Sequence, residues 1–238
     1  MKIGILETGK VSPKLKPKYG TYGSMFRVLL NNFFPDANFV FFNVLEHEFP
    51  KNVQEVSLWV ITGSHHGIYE NLDWMNTLKS FIVESITQGI PILGVCFGHQ
   101  ILADVMGGKV EKFKNGWGLG VHQYKFYHKN KWTSPIHGSY KGFAVHQDQV
   151  VLKPPSSKCL AGSDFCQNAI LAYGNDSRPF ALSIQTHPEF TKEYAYDLIA
   201  LRSGKTFPKQ EADCALKTLE KTTDNLSITK AICGALVR

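Results

Sequence analysis

The chain has 238 residues, 43% hydrophobic and 19% charged, which suits a compact globular protein and excludes disordered and fibrous classes. Its net charge of +6 is spread along the chain; the densest run, Lys10, Lys14, Lys16 and Lys18, is interrupted by Val, Ser, Pro and Leu and reads as a solvated loop rather than a nucleic-acid surface. Five cysteines at irregular spacing, without a C-x-x-C pair, indicate neither a disulfide framework nor a zinc site and fit a reducing compartment.

In chain order, short apolar runs alternate with longer amphipathic ones, the pattern of strand–helix–strand units around a parallel sheet. Lys2 to Leu6 opens with a run too short for a signal-peptide core, and no later run is long enough to span a membrane, so a cytoplasmic protein with no membrane partner is expected. Further strands are expected at Phe39 to Phe42, Leu58 to Thr62 and Pro91 to Val95, and helices at Tyr22 to Phe33, Leu72 to Thr87 and Phe97 to Met106. A β-rich stretch follows from Gly118 to Tyr173, punctuated by Gly, Pro and Asn. The strand Ala181 to Gln185 returns to the sheet, and Lys192 to Arg202 forms a helix beside it. Beyond Phe207-Pro208 the chain is more polar, and Asp224-Asn225-Leu226-Ser227 is placed to stop one helix and cap the next. The expected architecture is α/β: a mostly parallel twisted sheet flanked by helices over residues 1–207, with a small β-rich subregion, and a helical extension over 208–238.

Two segments carry chemistry. In Ile92-Leu93-Gly94-Val95-Cys96-Phe97-Gly98-His99-Gln100 a buried strand runs into a helix with Cys96 at the junction, where helix amides and dipole favour a thiolate and flanking glycines permit a tight turn. In Gln185-Thr186-His187-Pro188-Glu189-Phe190, His187 sits just past a strand end and Glu189, two residues on, is placed to reach back and fix its tautomer. A buried structural cysteine and a solvated His–Glu pair are the bland readings of each segment alone.

Together, Cys-x-Gly-His-Gln followed by His-Pro-Glu resembles the class I glutamine amidotransferases, whose fold is flavodoxin-like, and the resemblance runs from Lys2 to Arg202. The flow of the chain is most similar to the glutaminase domain of GMP synthases and to stand-alone proteins like it, some of which act as γ-glutamyl peptidases. The resemblance implies a Cys96 nucleophile, a His187 base and Glu189 as its orienting partner. It implies oxyanion donors from Phe97 and from Thr62-Gly63-Ser64-His65-His66-Gly67, where Gly63 and Ser64 are the candidates. It places Gln100, and Val145 and His146 of Val145-His146-Gln147-Asp148, at the substrate. Ser64, His65, Gln147 and Thr186 depart from the family pattern and are expected at the pocket rim. Gly116-Trp117-Gly118-Leu119-Gly120 lacks the acidic residue common in the corresponding loop and reads as a glycine-rich turn, with Trp117 partly in the core.

The implied activity is that of a glutaminase or glutamine amidotransferase releasing ammonia through a Cys96 γ-glutamyl thioester. The alternatives are a γ-glutamyl peptidase with the same chemistry and a different leaving amine, or a non-catalytic regulatory subunit. No cofactor or metal is expected, the three or more convergent ligands a metal needs not being evident. No phosphate-binding glycine loop is present, so a synthase that used the ammonia would be a separate chain.

Overall fold

The computed structural model describes residues 1–127, 138–175 and 178–237. Part of the expected β-rich stretch, 128–137, lies outside them. The first half alternates strands and helices: β1 (Lys2–Glu7), a short α1 (Lys16–Tyr19), α2 (Tyr22–Asn31), β2 (Asn38–Asn43), β3 (Leu58–Ile61), α3 (Asp73–Thr87), β4 (Ile92–Val95) and α4 (Phe97–Val105). Then come β5 (Lys109–Lys112), β6 (Gly118–Phe126), β7 (Ser139–His146), β8 (Asp148–Leu152), β9 (Ser157–Gly162), β10 (Ile170–Asn175) and β11 (Arg178–Ile184). Three helices follow: α5 (Lys192–Arg202), α6 (Lys209–Thr218) and α7 (Asn225–Leu236).

Nine strands form one sheet in the order β2-β1-β3-β4-β11-β10-β9-β6-β7. The first five run parallel, and from β10 onward the pairing is antiparallel. The β-rich stretch therefore extends the same sheet, apart from a two-stranded ribbon of β5 and β8. The ribbon strand β5 is largely exposed and polar, and no apolar alternation announces it in the sequence.

The parallel strands are buried on both faces, which is why they are continuous apolar runs. Along β3, Leu58 and Val60 point into a core shared with Phe26 and Leu30 of α2 and with Ile228 and Ile232 of α7. Trp59 and Ile61 point the other way, against Leu78 and Ile82 of α3 and Ile101 of α4. A third cluster joins α5 and α6 to β6 and β7 through Leu198, Phe207, Ala215, Leu119 and Phe143. The C-terminal extension thus supplies core on two sides.

Asp224 stands at the start of α7 as expected, but it does not cap the helix through its side chain. Its carboxylate accepts from the Lys141 amide at 2.7 Å and its own amide donates to the Lys141 carbonyl at 2.8 Å, tying α7 to β7.

Candidate active site

β11 lies between β4 and β10, in parallel register with β4: Ala181 pairs with Ile92 and Ile184 with Val95. Cys96 follows β4 directly, and His187 follows β11 by three residues, so two neighbouring parallel strands deliver both side chains to one sheet edge. This is where open α/β sheets place their sites.

Cys96 begins α4 with φ 52° and ψ −101°. A non-glycine residue there costs about 1–3 kcal/mol and persists only where the surroundings enforce it. The sequence suggests that the flanking glycines make the turn; instead Cys96 itself carries the positive φ, and the glycines provide clearance. A Cβ on Gly98 would lie 2.3 Å from the Ile61 carbonyl oxygen, and one on Gly94 would lie 2.4 Å from that of Gly98. The thiol is more enclosed than an open elbow implies, with Cys96 only 4% exposed.

The His187 imidazole is buried beside Cys96, and its Nδ1 lies 2.8 Å from Glu189 Oε1. Its ring stacks on Phe190 at 4.1 Å, and its backbone amide donates to the Phe143 carbonyl. Burial pushes the imidazole pKa down, but the charges of Cys96 and Glu189 outweigh it and raise the value above the usual 6.5. The second Glu189 carboxylate oxygen is buried and has no partner among the described residues.

The loop after β3 closes the other side. Thr62 is held by Thr8: the Thr8 amide donates to Thr62 Oγ1 at 3.0 Å and the Thr8 hydroxyl to the Thr62 carbonyl at 2.8 Å. The same Thr62 carbonyl accepts from the Gly98 amide at 3.1 Å, joining the loop to the elbow. Gly63 packs so closely that a Cβ there would sit 2.8 Å from His187 Cε1 and 3.6 Å from Cys96 Cβ. Among the described residues the amides of Gly63, Ser64 and Phe97 have no protein acceptor, so they remain free to donate to a ligand.

Cys96 opens into a cleft of about 410 Å³, within the range of small-molecule sites. Ser64, Gln100, Val145 and His146 all line it, so most of the expected site residues converge. Gln100 Nε2 is already engaged, donating to the Asp148 carbonyl at 2.8 Å and to Gln185 Oε1 at 3.3 Å. His146 is buried, and burial, reinforced by the nearby His122, pulls its pKa to about 3, so the ring is neutral.

The expectation for Thr186 is corrected. It is 1% exposed and packs beneath Gly142, where a Cβ would approach its hydroxyl to 2.9 Å, and it does not line the cleft. The alternation along this segment sends His187 to the site and Thr186 to the opposite side. His65, Gln147 and Trp117 do line the cleft. His66, beside His65, bonds through Nδ1 to Glu70 Oε2 at 2.7 Å.

Asp148, the last residue of the Val145-His146-Gln147-Asp148 segment, lines the cleft as well. Tyr69, Lys112, Arg202 and Thr206 also line it; they come from three separate places in the chain, and no local motif marks them. A larger groove of about 570 Å³ lies behind Glu189, between α2 and the α6–α7 turn, but no cysteine, serine or histidine lines it. Among the described residues no group of three or more His, Cys, Asp or Glu is placed to hold a metal, and no helix is long and apolar enough to cross a membrane.

Residues 55–199 match the family model of class-I glutamine amidotransferases, a span that includes Cys96, His187 and Glu189. Over 221 residues the chain is 31% identical to γ-glutamyl peptidase 5 of Arabidopsis thaliana, covering 89% of this chain and 86% of the relative. It is 36% identical to a glutamine-hydrolyzing GMP synthase subunit of Methanothrix thermoacetophila over 103 residues, 43% of this chain and 55% of that one. A crystal structure of a glutamine amidotransferase from Thermotoga maritima superposes with a TM-score of 0.73 at 21% identity, covering 99% of both chains, a likeness of fold. With the elbow cysteine, the His–Glu pair and the mixed sheet in place, the chain belongs to the class I glutamine amidotransferase family.

Proposed function

We infer that this protein is a cysteine hydrolase of γ-glutamyl amides whose substrates are γ-glutamyl peptides. The observation that carries the reading is the grouping of Cys96, which lines the cleft, with the buried His187 beside it and Glu189 bonded to that imidazole. Cys96 Sγ attacks the γ-carbonyl carbon while His187 takes the thiol proton. The tetrahedral oxyanion accepts hydrogen bonds from the Phe97 amide and from Gly63 or Ser64, each donor contributing about 3 kcal/mol. His187 returns the proton to the departing amine as the C–N bond breaks, leaving a γ-glutamyl thioester. Water, deprotonated by His187, then releases glutamate and restores the thiol. Glu189 holds the imidazole in the required tautomer and stabilises its cationic form.

The peptide reading is favoured over plain glutamine hydrolysis by the extent of likeness: the similarity to γ-glutamyl peptidase 5 spans most of both chains. The similarity to the GMP synthase chain covers less than half of this one. The second reading, a glutaminase supplying ammonia to a separate synthase chain, shares every step but the leaving group.

Initial rates on glutamine and on γ-glutamyl dipeptides, with EDTA present and ATP absent, separate the two. Faster turnover of dipeptides is expected, and Cys96→Ala is expected to abolish it with the fold intact. Preference for glutamine would support the glutaminase, and full activity in Cys96→Ala would overturn the mechanism.

A further inference from the structure

One wall of the cleft is built by the corner between α5 and α6. Arg202, the last residue of α5, lines the cleft with Thr206 and Trp117. Its guanidinium carbon lies 5.9 Å from the centre of the Phe207 ring, and Phe207 meets Trp117 edge-on at 4.8 Å. The Glu211 carboxylate of α6 accepts from the Trp117 amide at 3.3 Å, bracing the corner. The guanidinium is therefore propped in place, and side-chain entropy is already spent there before any ligand arrives.

Among the described residues no carboxylate lies within 4.0 Å of Arg202, and its side chain has no hydrogen-bond acceptor. Its charge reaches the cleft: His65 is held below the usual 6.5 mainly by burial, then by His66 and Arg202. Lys112, exposed on β5, adds a second cation to the lining. Asp148 is the acidic residue that lines the cleft, and burial holds its carboxyl above the ordinary range against the opposing pull of Tyr69 and Lys112. A partly buried guanidinium with no counter-ion, in the same cleft as a nucleophile, is matched to a carboxylate, which accepts two parallel hydrogen bonds from its fork.

We propose that Arg202, supported by Lys112, binds the carboxylate of the leaving amino acid or peptide, a specificity subsite for γ-glutamyl substrates that carry a free C-terminal acid. This rests on the hydrolase reading above and names its leaving group. Glutamine has no such carboxylate on its leaving nitrogen and cannot use the subsite. Amidation of a dipeptide removes the charge while preserving the scissile bond.

The test compares kcat/KM for a γ-glutamyl dipeptide, the same dipeptide as its C-terminal amide, and glutamine. Hydrogen bonds to a charged group of this kind correspond to a preference of roughly 10- to 100-fold for the acid over the amide in wild type. Arg202→Met, which keeps an apolar contact with Phe207, is expected to collapse that ratio towards one, and Arg202→Lys to retain part of it. Activity on the acid should fall further than activity on glutamine. Equal wild-type rates on acid and amide would overturn the subsite while leaving the hydrolase reading in place, and this comparison stands even if Arg202→Met fails to fold. A retained acid preference in a folded Arg202→Met, or an equal fall on glutamine, would also overturn it, the latter by placing Arg202 at the glutamyl end. Absence of turnover on all three by wild type would remove the hydrolase reading and the subsite together.

Discussion

Gly63→Ala isolates the fit between the loop after β3 and the His187 ring. Gly63 does not occupy the left-handed region, so alanine is tolerated by the backbone and keeps the amide donor. The added methyl would stand 2.8 Å from His187 Cε1, about 0.6 Å inside an ordinary 3.4 Å contact. The ring has little room to retreat, being stacked on Phe190 at 4.1 Å and bonded to Glu189 at 2.8 Å. Displacement of a reacting group by about 1 Å costs as much as 100-fold, so a shift of this size is expected to lower kcat roughly 10- to 100-fold, or about 1.4–2.7 kcal/mol of barrier. Steady-state kinetics on a γ-glutamyl dipeptide measures this, with KM expected to change less than kcat. Unfolding in urea gives the accompanying loss of stability, about 1–3 kcal/mol for overpacking. Wild-type kcat in a folded Gly63→Ala would refute the claim that His187 works from the position seen here.

Glu189→Gln retains a hydrogen bond but not the charge, and is expected to lower kcat by roughly 10²- to 10⁴-fold, less than His187→Ala, as read by burst and steady-state rates. Folded His99 and His146 are neutral well below the usual range, pulled to about 3 chiefly by burial, whereas the unfolded chain protonates them near 6.5. Stability should therefore fall as pH drops from about 6.5 towards 3, by about 2 kcal/mol per histidine at pH 5, and urea titrations of wild type and His146→Gln at pH 7.5 and 5 should show a shallower loss in the variant. Asp224→Ala leaves the half-buried Lys141 amide without its carboxylate acceptor and is expected to cost about 1 kcal/mol by urea titration, with turnover little changed. Gly234→Ala, at an exposed position of α7 where a Cβ meets nothing within 4 Å, should add about 0.5–1 kcal/mol to stability.

What the sequence discloses is what is local. The parallel strands are legible because both faces are buried, so Leu58–Ile61 and Ile92–Val95 are unbroken apolar runs. The convergence of Cys96 with His187 is legible only through the family resemblance, since the two residues meet through the register of β4 with β11. Thr186 shows the limit of reasoning by adjacency: one step along the chain from His187, it points to the other side of the strand end. Arg202 and Lys112 enter the same cleft from α5 and β5 because of tertiary packing, and nothing in their neighbours' identities announces it. The tail is legible as helical but not as core, because α7 packs on β11 and β7 and buries Ile228, Ile232 and Cys233 in a cluster that also holds Ile3 and Ile5 of β1.

The position of β11 also has a consequence for the order in which the molecule can assemble during synthesis. Its pairing partner on one side is β4, with Ala181 opposite Ile92, so an interior strand of the sheet is the last to be made. A growing chain that has emerged through β10 already contains the cysteine elbow, but the β4 edge beside it lacks its native partner. Contacts of such long sequence separation form slowly, and an apolar, unpaired edge is open to wrong partners in the interval. The same delay has a chemical side: Cys96 is translated long before His187 and Glu189, so the nascent chain carries a thiol without its base. Closure of the sheet and activation of the nucleophile are thus one event, completed when β11 is inserted.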